Sequence, residues 1–243
     1  MKFILGEKIE MTQKYATDGS VIPVTKIAAG PCVVTQVKNE KKEGYKAVQV
    51  GFGSKKKISK PLKGHLKNLG NFRYLKECHL EPTQELKIGD EITVNVFTPG
   101  DIVRVSGNSK GKGFQGVVRR HGFHGHPASH GHKDQARTSG SIGAGGNQHV
   151  LKGTRMAGRM GGDSVTVTNL QVVEIDNEKN EIYIKGAVPG ARGGLVLIAG
   201  PGEMNLELPK APVKEEVKQE LDNKNPEITE EKITEEKIED KQN

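Results

Sequence analysis

Residues 164–188 read SVTVTNLQVVEIDNEKNEIYIKGAV, and this stretch is the clearest indicator of the fold. Residues 164–175 and 181–188 alternate apolar and polar side chains, which is the two-residue period of a half-buried β-strand. The residues between them, DNEKN at 176–180, are all polar and have the length of a hairpin connection. The sequence therefore predicts an antiparallel hairpin at this point.

The same period recurs along the chain. It predicts further strands at residues 21–29, 31–37, 45–52, 91–97, 102–106 and 195–199. A helical pattern is confined to residues 64–80, where it rests on leucines spaced four and three residues apart and is interrupted by glycines. Many short strands separated by turns are typical of a barrel, so we predict a mainly β chain with short helices inserted among the strands.

Composition and charge divide the chain in two. Only 33% of its 243 residues are hydrophobic and 4% are aromatic, which is a thin core for this length. The net charge of +7 is the sum of +11 over residues 1–209 and −4 over residues 210–243. In the second part the sequence ITEEK occurs twice in succession, and isoleucines five residues apart cannot form one helical stripe. We therefore predict a basic folded body and a charged, disordered acidic tail at 210–243.

Export, a membrane span and a disulfide framework are not indicated. No run approaches the roughly 18 consecutive apolar residues of a membrane helix. Glu7 and Glu10 interrupt the opening residues before a signal-peptide core can form. Cys32 and Cys78 have no CxxC spacing and no second pair. These features predict a protein of the reducing cytoplasm.

Residues 104–160 break the strand pattern. They hold ten Lys and Arg against a single acid, Asp134, together with six of the eight histidines and many glycines. Beyond Val118 we find neither a helical nor a strand period. A structureless segment of this length inside a domain indicates a functional loop or a disordered one.

Three chemical interpretations of this segment are weak. Residues 111–116 spell GxGxxG, but the dinucleotide fingerprint needs a following helix, and two glycines and a proline stand there instead. The histidines at 124, 126, 130 and 132 have loop-like spacing, and Asp134 is the one nearby carboxylate for a metal. Neighbouring Ser and His side chains, such as Ser129 and His130, have no third group to orient them for catalysis.

Nucleic-acid binding explains the composition as a whole. Lys and Arg neutralise phosphates, glycines let backbone N–H groups approach a sugar–phosphate chain, and histidine can stack on a base or donate to phosphate. A solvated flexible loop is the remaining alternative, although such loops usually mix charges of both signs. Because no strand carries an aromatic pattern, we expect recognition of shape and phosphate rather than of base sequence.

An ordered series of motifs resembles one known family. The densest is GNSKGKGFQGVVRRH at residues 107–121, and others are VTQVK at 34–38, GYKAVQVG at 44–51, ASHG at 128–131, GSIG at 140–143, MAG at 156–158 and KGAVPG at 185–190. Together they resemble the bacterial large-subunit ribosomal protein L three family over nearly all of residues 1–209. The tail lies outside the resemblance.

The resemblance implies a domain organisation. A translation-factor-like β-barrel body would comprise residues 1–107 and 161–209, with a small inserted subdomain of short helices at about 53–88. Residues 108–160 would form a long basic extended loop that penetrates RNA and reaches toward the peptidyl transferase centre. The implied function is structural: the protein would bind large-subunit ribosomal RNA and nucleate assembly, with no catalysis of its own.

The resemblance and the charge pattern together predict the contact residues. We expect ribosomal RNA to be bound by Lys8, Lys14, Lys55, Lys56, Lys57, Lys60, Lys110, Lys112, Arg119, Arg120, His121, His130, Arg137, Lys152, Arg155 and Arg159. We expect the loop tip near functional RNA to comprise Ser141, Gly143, Gly145, Gly146 and Gln148. No cofactor, metal, membrane or small-molecule substrate is expected, and neighbouring large-subunit proteins are the other expected partners, in cytoplasmic ribosomes. The alternative is an extra-ribosomal RNA-binding translation factor or RNA chaperone.

Overall fold

The computed structural model of the protein describes residues 1–67, 69–79, 86–202 and 204. The prediction of a mainly β chain is confirmed. The strands are β1 (Lys2–Tyr15), β2 (Val21–Ala29), β3 (Cys32–Lys38), β4 (Ala47–Ser54), β5 (Phe72–His79), β6 (Glu91–Ile92), β7 (Ile102–Asn108), β8 (Phe114–Gln115), β9 (Gly158–Arg159), β10 (Ser164–Asp176), β11 (Glu181–Lys185) and β12 (Leu195–Gly200). Short helices lie at α1 (Glu40–Glu43), α2 (Lys60–Leu66) and α3 (Val117–His121), with a 3-10 turn at Val94–Val96.

Six strands close into a barrel in the order β1-β12-β7-β10-β11-β2, and every neighbouring pair is antiparallel. The predicted hairpin is confirmed as β10 and β11, which pair from Val172 opposite Ile184 to Asp176 opposite Glu181. The Asp176 carboxylate closes the turn by accepting the N–H groups of Glu178 and Lys179, each at 3.1 Å. Since a closed barrel has no free sheet edge, this arrangement satisfies most strand hydrogen bonds internally.

A second sheet is inserted between β2 and β7, with the strand order β5-β4-β3-β6. One hydrophobic core extends through both sheets, from Phe3 and Ile198 in the barrel to Val34 and Val50 in the second sheet. Cys32 and Cys78 belong to this core as free, buried thiols. The thin apolar content of the sequence is therefore concentrated in one continuous cluster.

Three local predictions are wrong. Residues 64–80 do not form the expected helix, because α2 ends at Leu66 and Phe72–His79 is strand β5. Of the predicted strand 91–97, only the first two residues belong to a strand, and a 3-10 turn lies at Val94–Val96. Residues beyond Val118 are not devoid of regular structure, because α3 continues to His121 and β9 lies at Gly158–Arg159.

The tail at 210–243 lies outside the described residues. Among the helices that are described, none combines the length and apolar character needed to cross a membrane. The proposed division of the chain into body, insertion and loop stays a prediction.

Candidate nucleic-acid interface

Residues 109–163 connect β7 to β10, two adjacent strands of the barrel, and we call this segment the extension. Its two ends are in register, because Asn108 lies opposite Ser164. The pairing continues outward: the N–H of Ser109 donates to the carbonyl of Asp163 at 2.9 Å, and the N–H of Lys112 donates to that of Met160 at 2.9 Å. β8 and β9 then pair with each other. The pair β7 and β10 is thus prolonged into a two-stranded neck, formed by residues 109–115 and 158–163.

Above the neck, α3 bridges the outgoing and returning parts of the chain. An Nη1 group of Arg120 donates to the carbonyl of Met156 at 2.8 Å, and His121 Nε2 lies 3.1 Å from the same oxygen. Gly122 ends the helix in the left-handed region, with φ of 73°, and its N–H donates to the carbonyl of Val118. Although α3 follows the GxGxxG run, it has only five residues, so its N-terminus is a poor pyrophosphate site.

The histidine-rich part folds back on itself beyond α3. The N–H of His126 donates to the carbonyl of Ala136 at 3.1 Å, and the rings of His126 and His132 stack with centroids 5.4 Å apart and planes 12° apart. In the part of the chain that the structure describes, no group of three or more His, Cys, Asp or Glu side chains is placed to hold a metal ion. The fold-back therefore brings two imidazole rings together but, among the described residues, does not assemble a set of metal ligands.

At the tip of the extension, residues 140–157, hydroxyl side chains donate to backbone carbonyls two or three residues away. Ser141 Oγ donates to the carbonyl of Gly143 at 2.7 Å, and Thr154 Oγ1 donates to that of Leu151 at 2.7 Å. Residues 140–157 are all exposed, and within 108–160 the one buried residue is Val117. Such a tip has no core of its own and cannot be ordered by apolar burial.

The cations of the extension project into solvent. All nine Lys and Arg side chains between residues 109 and 160 belong to exposed residues, and none takes part in an ion pair with another described residue. Some donate hydrogen bonds to neutral groups, as Arg119 does to Gln115 Oε1 at 3.3 Å. The positive charge is therefore uncompensated and available to a polyanion.

The predicted contact residues fall into three structural groups. The structure places on the extension Lys110, Lys112, Arg119, Arg120, His121, His130, Arg137, Lys152, Arg155 and Arg159, together with the tip residues Ser141, Gly143, Gly145, Gly146 and Gln148. It places Lys55, Lys56, Lys57 and Lys60 in a separate exposed segment between β4 and the first turn of α2. These four lysines form no ion pair with a described residue.

The third group, Lys8 and Lys14, is engaged by the protein itself. Lys8 Nζ donates to the carbonyl of Val188 at 2.7 Å, and burial, followed by the nearby charge of Lys110, lowers its pKa. Lys14 Nζ lies 2.8 Å from a carboxylate oxygen of Glu174 and 4.5 Å from the centroid of the Tyr183 ring. Both ammonium groups therefore have partners supplied by residues distant in sequence, in the segment after β11 and in β10.

Phe114 is a candidate contact that the sequence analysis did not assign. Its side chain is 76% exposed and stands opposite Arg159 in the neck. An exposed aromatic ring beside exposed cations suits stacking on an unpaired base. The signal was present in the sequence, since Phe114 is an isolated aromatic residue in a run of Gly and Lys with no apolar neighbour before Val117.

Comparison with known proteins gives a consistent result. The family described as Ribosomal protein L3 matches residues 76–182. A protein of Herpetosiphon aurantiacus named large ribosomal subunit protein uL3 is 52% identical over 200 residues, which are 81% of this chain and 94% of that protein. Proteins of the same name from Carboxydothermus hydrogenoformans and Acidothermus cellulolyticus are 50% and 49% identical, covering 81% and 85% of this chain and 96% of each relative. At this identity and coverage, the chain belongs to the ribosomal protein L3 family.

Proposed function

We propose that this protein is a structural component of the large ribosomal subunit that binds ribosomal RNA through the extension. One observation carries the proposal: the extension projects its cations from a neck fixed to the barrel, while Val117 is the one buried residue within 108–160. Ordering such a segment costs conformational entropy that apolar burial does not offset. Contact with a surrounding polyanion would supply the compensating free energy. The names of the relatives support the large subunit as the assembly.

Different parts of the extension would have different tasks. The neck and α3 are held by backbone pairing and by Arg120, so they set the direction in which the extension leaves the barrel. The exposed Arg and Lys side chains would neutralise phosphates, with release of counterions. By family resemblance, the tip containing Gly143 and Gly145 would approach the peptidyl transferase centre.

The remaining parts would anchor this contact. The barrel is proposed to resemble that of translation factors and to sit on the subunit surface, while Lys55, Lys56, Lys57 and Lys60 supply a second phosphate-facing patch. Lys8 and Lys14 contribute less, because the carbonyl of Val188 and the carboxylate of Glu174 already occupy their ammonium groups. The protein would nucleate assembly in cytoplasmic ribosomes, without a cofactor or a reaction of its own.

Co-sedimentation tests the proposal directly. The tagged full chain should migrate with large subunits through a sucrose gradient and stay with them after a high-salt wash. A variant with Arg137, Lys152 and Arg155 changed to Gln should be incorporated less efficiently, while a matched triple change to Gln at the exposed residues Lys41, Lys42 and Lys46 should have little effect. Free protein that never enters subunits but binds RNA would favour the alternative, an RNA chaperone or translation factor.

A further inference from the structure

The first hairpin of the chain extends beyond the barrel as a two-stranded arm, residues 9–23. β12 pairs with β1 only as far as Glu7, and β11 pairs with β2 only as far as Val24. Beyond these points β1 and β2 pair with each other up to Tyr15 opposite Val21. The segment of β1 at residues 9–15 is therefore a sheet edge with no strand beside it among the described residues.

One face of the arm carries exposed apolar side chains around a single polar residue of β1, Gln13. Met11, Tyr15 and Val21 are 53%, 70% and 54% exposed, and the pairing of β1 with β2 puts them on one face. Along β2 the same face continues to Ile27 and Ala29, which are fully buried in the core. The face that lines the barrel interior thus continues past the barrel without a cover.

The backbone of this edge is oriented to accept another strand. Pro23 has no N–H, and its carbonyl accepts the N–H of Gly186 at 2.9 Å on the side away from β1. Gln13, opposite Pro23, therefore belongs to a pair without mutual hydrogen bonds. By alternation, the N–H and C=O groups of Met11, Gln13 and Tyr15 point away from β2, toward the open edge.

The charge of the arm does not suit RNA. In a body of net charge +11, the arm carries two acids, Glu10 and Asp18, and one cation, Lys14. That cation is already paired with Glu174. Arg192, the cation beside the arm, lies 3.7 Å from the Glu10 carboxylate and is therefore also paired. An open edge with exposed apolar side chains and no unpaired cation of its own fits an extended protein segment, since strand addition uses backbone hydrogen bonds for affinity and alternate side chains for specificity.

We propose that the arm is a docking site for a second protein of the large subunit, which adds an extended apolar segment to β1 at residues 9–15. This inference rests on the proposed function and assigns a partner class to a surface that the RNA contact does not use.

Photo-cross-linking in purified large subunits tests it. A benzophenone side chain is introduced at Tyr15 or, as the matched control, at Phe114 in the neck. The Tyr15 probe should form a cross-link to a peptide of another subunit protein, and the Phe114 probe should form one to RNA. If the Phe114 probe reacts with RNA while the Tyr15 probe reacts with RNA, with a second copy of this chain or with nothing, the arm is not a protein docking site. Absence of both labelled proteins from subunits would overturn the proposed function and this inference with it.

A pair of proline variants tests strand addition separately from folding. Gln13→Pro removes an N–H that faces the open edge, so the melting temperature should change by no more than about 2 °C. Thr12→Pro removes an N–H that faces β2 and should lower the melting temperature clearly. In the Gln13→Pro background the yield of the Tyr15 cross-link should fall about tenfold, as expected for loss of a backbone hydrogen bond and a poorer fit. An unchanged yield in that stable variant would overturn strand addition.

Discussion

Two arginines of the extension allow the effect of lost charge to be distinguished from the effect of a lost structural contact. Arg137 is exposed and makes no hydrogen bond or ion pair with a described residue, whereas Arg120 bonds to the carbonyl of Met156. We expect Arg137→Gln to lower the slope of log affinity against log salt by up to about one unit without changing the melting temperature. Arg120→Gln should lower the slope similarly and also loosen the neck. Filter binding to large-subunit RNA over a salt series, with thermal melts, measures both; an unchanged slope in both variants would contradict the phosphate contacts.

Two glycines of the extension make a matched pair for steric substitution. A Cβ on Gly161, which has a φ of 76°, would lie 2.2 Å from the carbonyl oxygen of Lys110, whereas a Cβ on Gly145 would meet nothing within 4 Å. We expect Gly161→Val to disrupt the neck and reduce incorporation into subunits through misplacement of the extension. Gly145→Val should leave the melting temperature unchanged and alter peptide-bond formation or drug sensitivity. A loss of melting temperature in Gly145→Val, with normal incorporation and peptide-bond formation, would return this residue to a structural role.

The two buried cysteines should make the protein less stable at strongly alkaline pH. Burial raises the pKa of the Cys32 and Cys78 thiols from 9.0 to about 12. The unfolded chain therefore loses thiol protons at lower pH than the folded chain, so this contribution to stability is complete below pH 9 and is lost as the pH rises toward 12. At pH 8 neither thiol should react with dithiobis(nitrobenzoate) until guanidinium is added. Rapid reaction of the native protein would show that the core opens locally.

The lysines at 8 and 14 show what residue type alone cannot predict. Both were expected to bind RNA because they are cations in a basic body. Their partners, Val188 and Glu174, lie more than 150 residues away in sequence and meet them only when the barrel closes. The absence of ion pairs for the cations at 109–160 could be expected from the sequence, because residues 104–160 hold a single acid, Asp134.

At the scale of elements, the extension should be cleaved in a definite order. Arg137, Lys152 and Arg155 lie in exposed segments without distant hydrogen bonds, so limited trypsin treatment of free protein should cut there first. Cleavage after Arg119 and Arg120 should follow later, because both belong to α3, which is tied to Met156. Mass spectrometry of the fragments gives the order. If the Arg137 bond resists trypsin as well as the β10–β11 hairpin does, the tip has a core that the structure does not contain.

Strands were predictable where apolar and polar residues alternate in the sequence and were missed where they do not. β2 and β10 to β12 each begin at the predicted residue, because each carries such an alternating run. In β1, Phe3, Ile4 and Leu5 are all fully buried, so the run is continuous rather than alternating. β5 lies at the edge of its sheet with Cys78 as its one buried residue, and nearby leucines gave a helical spacing instead. An alternating sequence pattern identifies a strand that has one buried and one exposed face, and neither β1 nor β5 is a strand of this kind.

At the scale of the whole molecule, the acidic tail should weakly oppose RNA binding. Residues 210–243 carry a net charge of −4 against +11 for the rest. Deletion of these residues should leave the affinity for large-subunit RNA unchanged or slightly higher at low salt, and the difference should fade as salt screens it. Affinity measured at two salt concentrations checks this. A truncated protein that fails to enter large subunits would show that the tail makes an essential contact.

The register of Asn108 with Ser164 has a consequence for how the family can vary. The extension leaves the barrel at the end of β7 and returns at the start of β10, which are adjacent, paired strands. For the barrel it is therefore equivalent to the loop of a hairpin. Each doubling of such a connection costs only about 0.6 kcal/mol in closure entropy. Insertions and deletions in residues 137–155 should therefore have little effect on the stability of the barrel. The length of this segment can therefore change with little effect on stability. We expect a variant in which a short Asn-Gly turn replaces the extension between β7 and β10 to fold as a stable barrel.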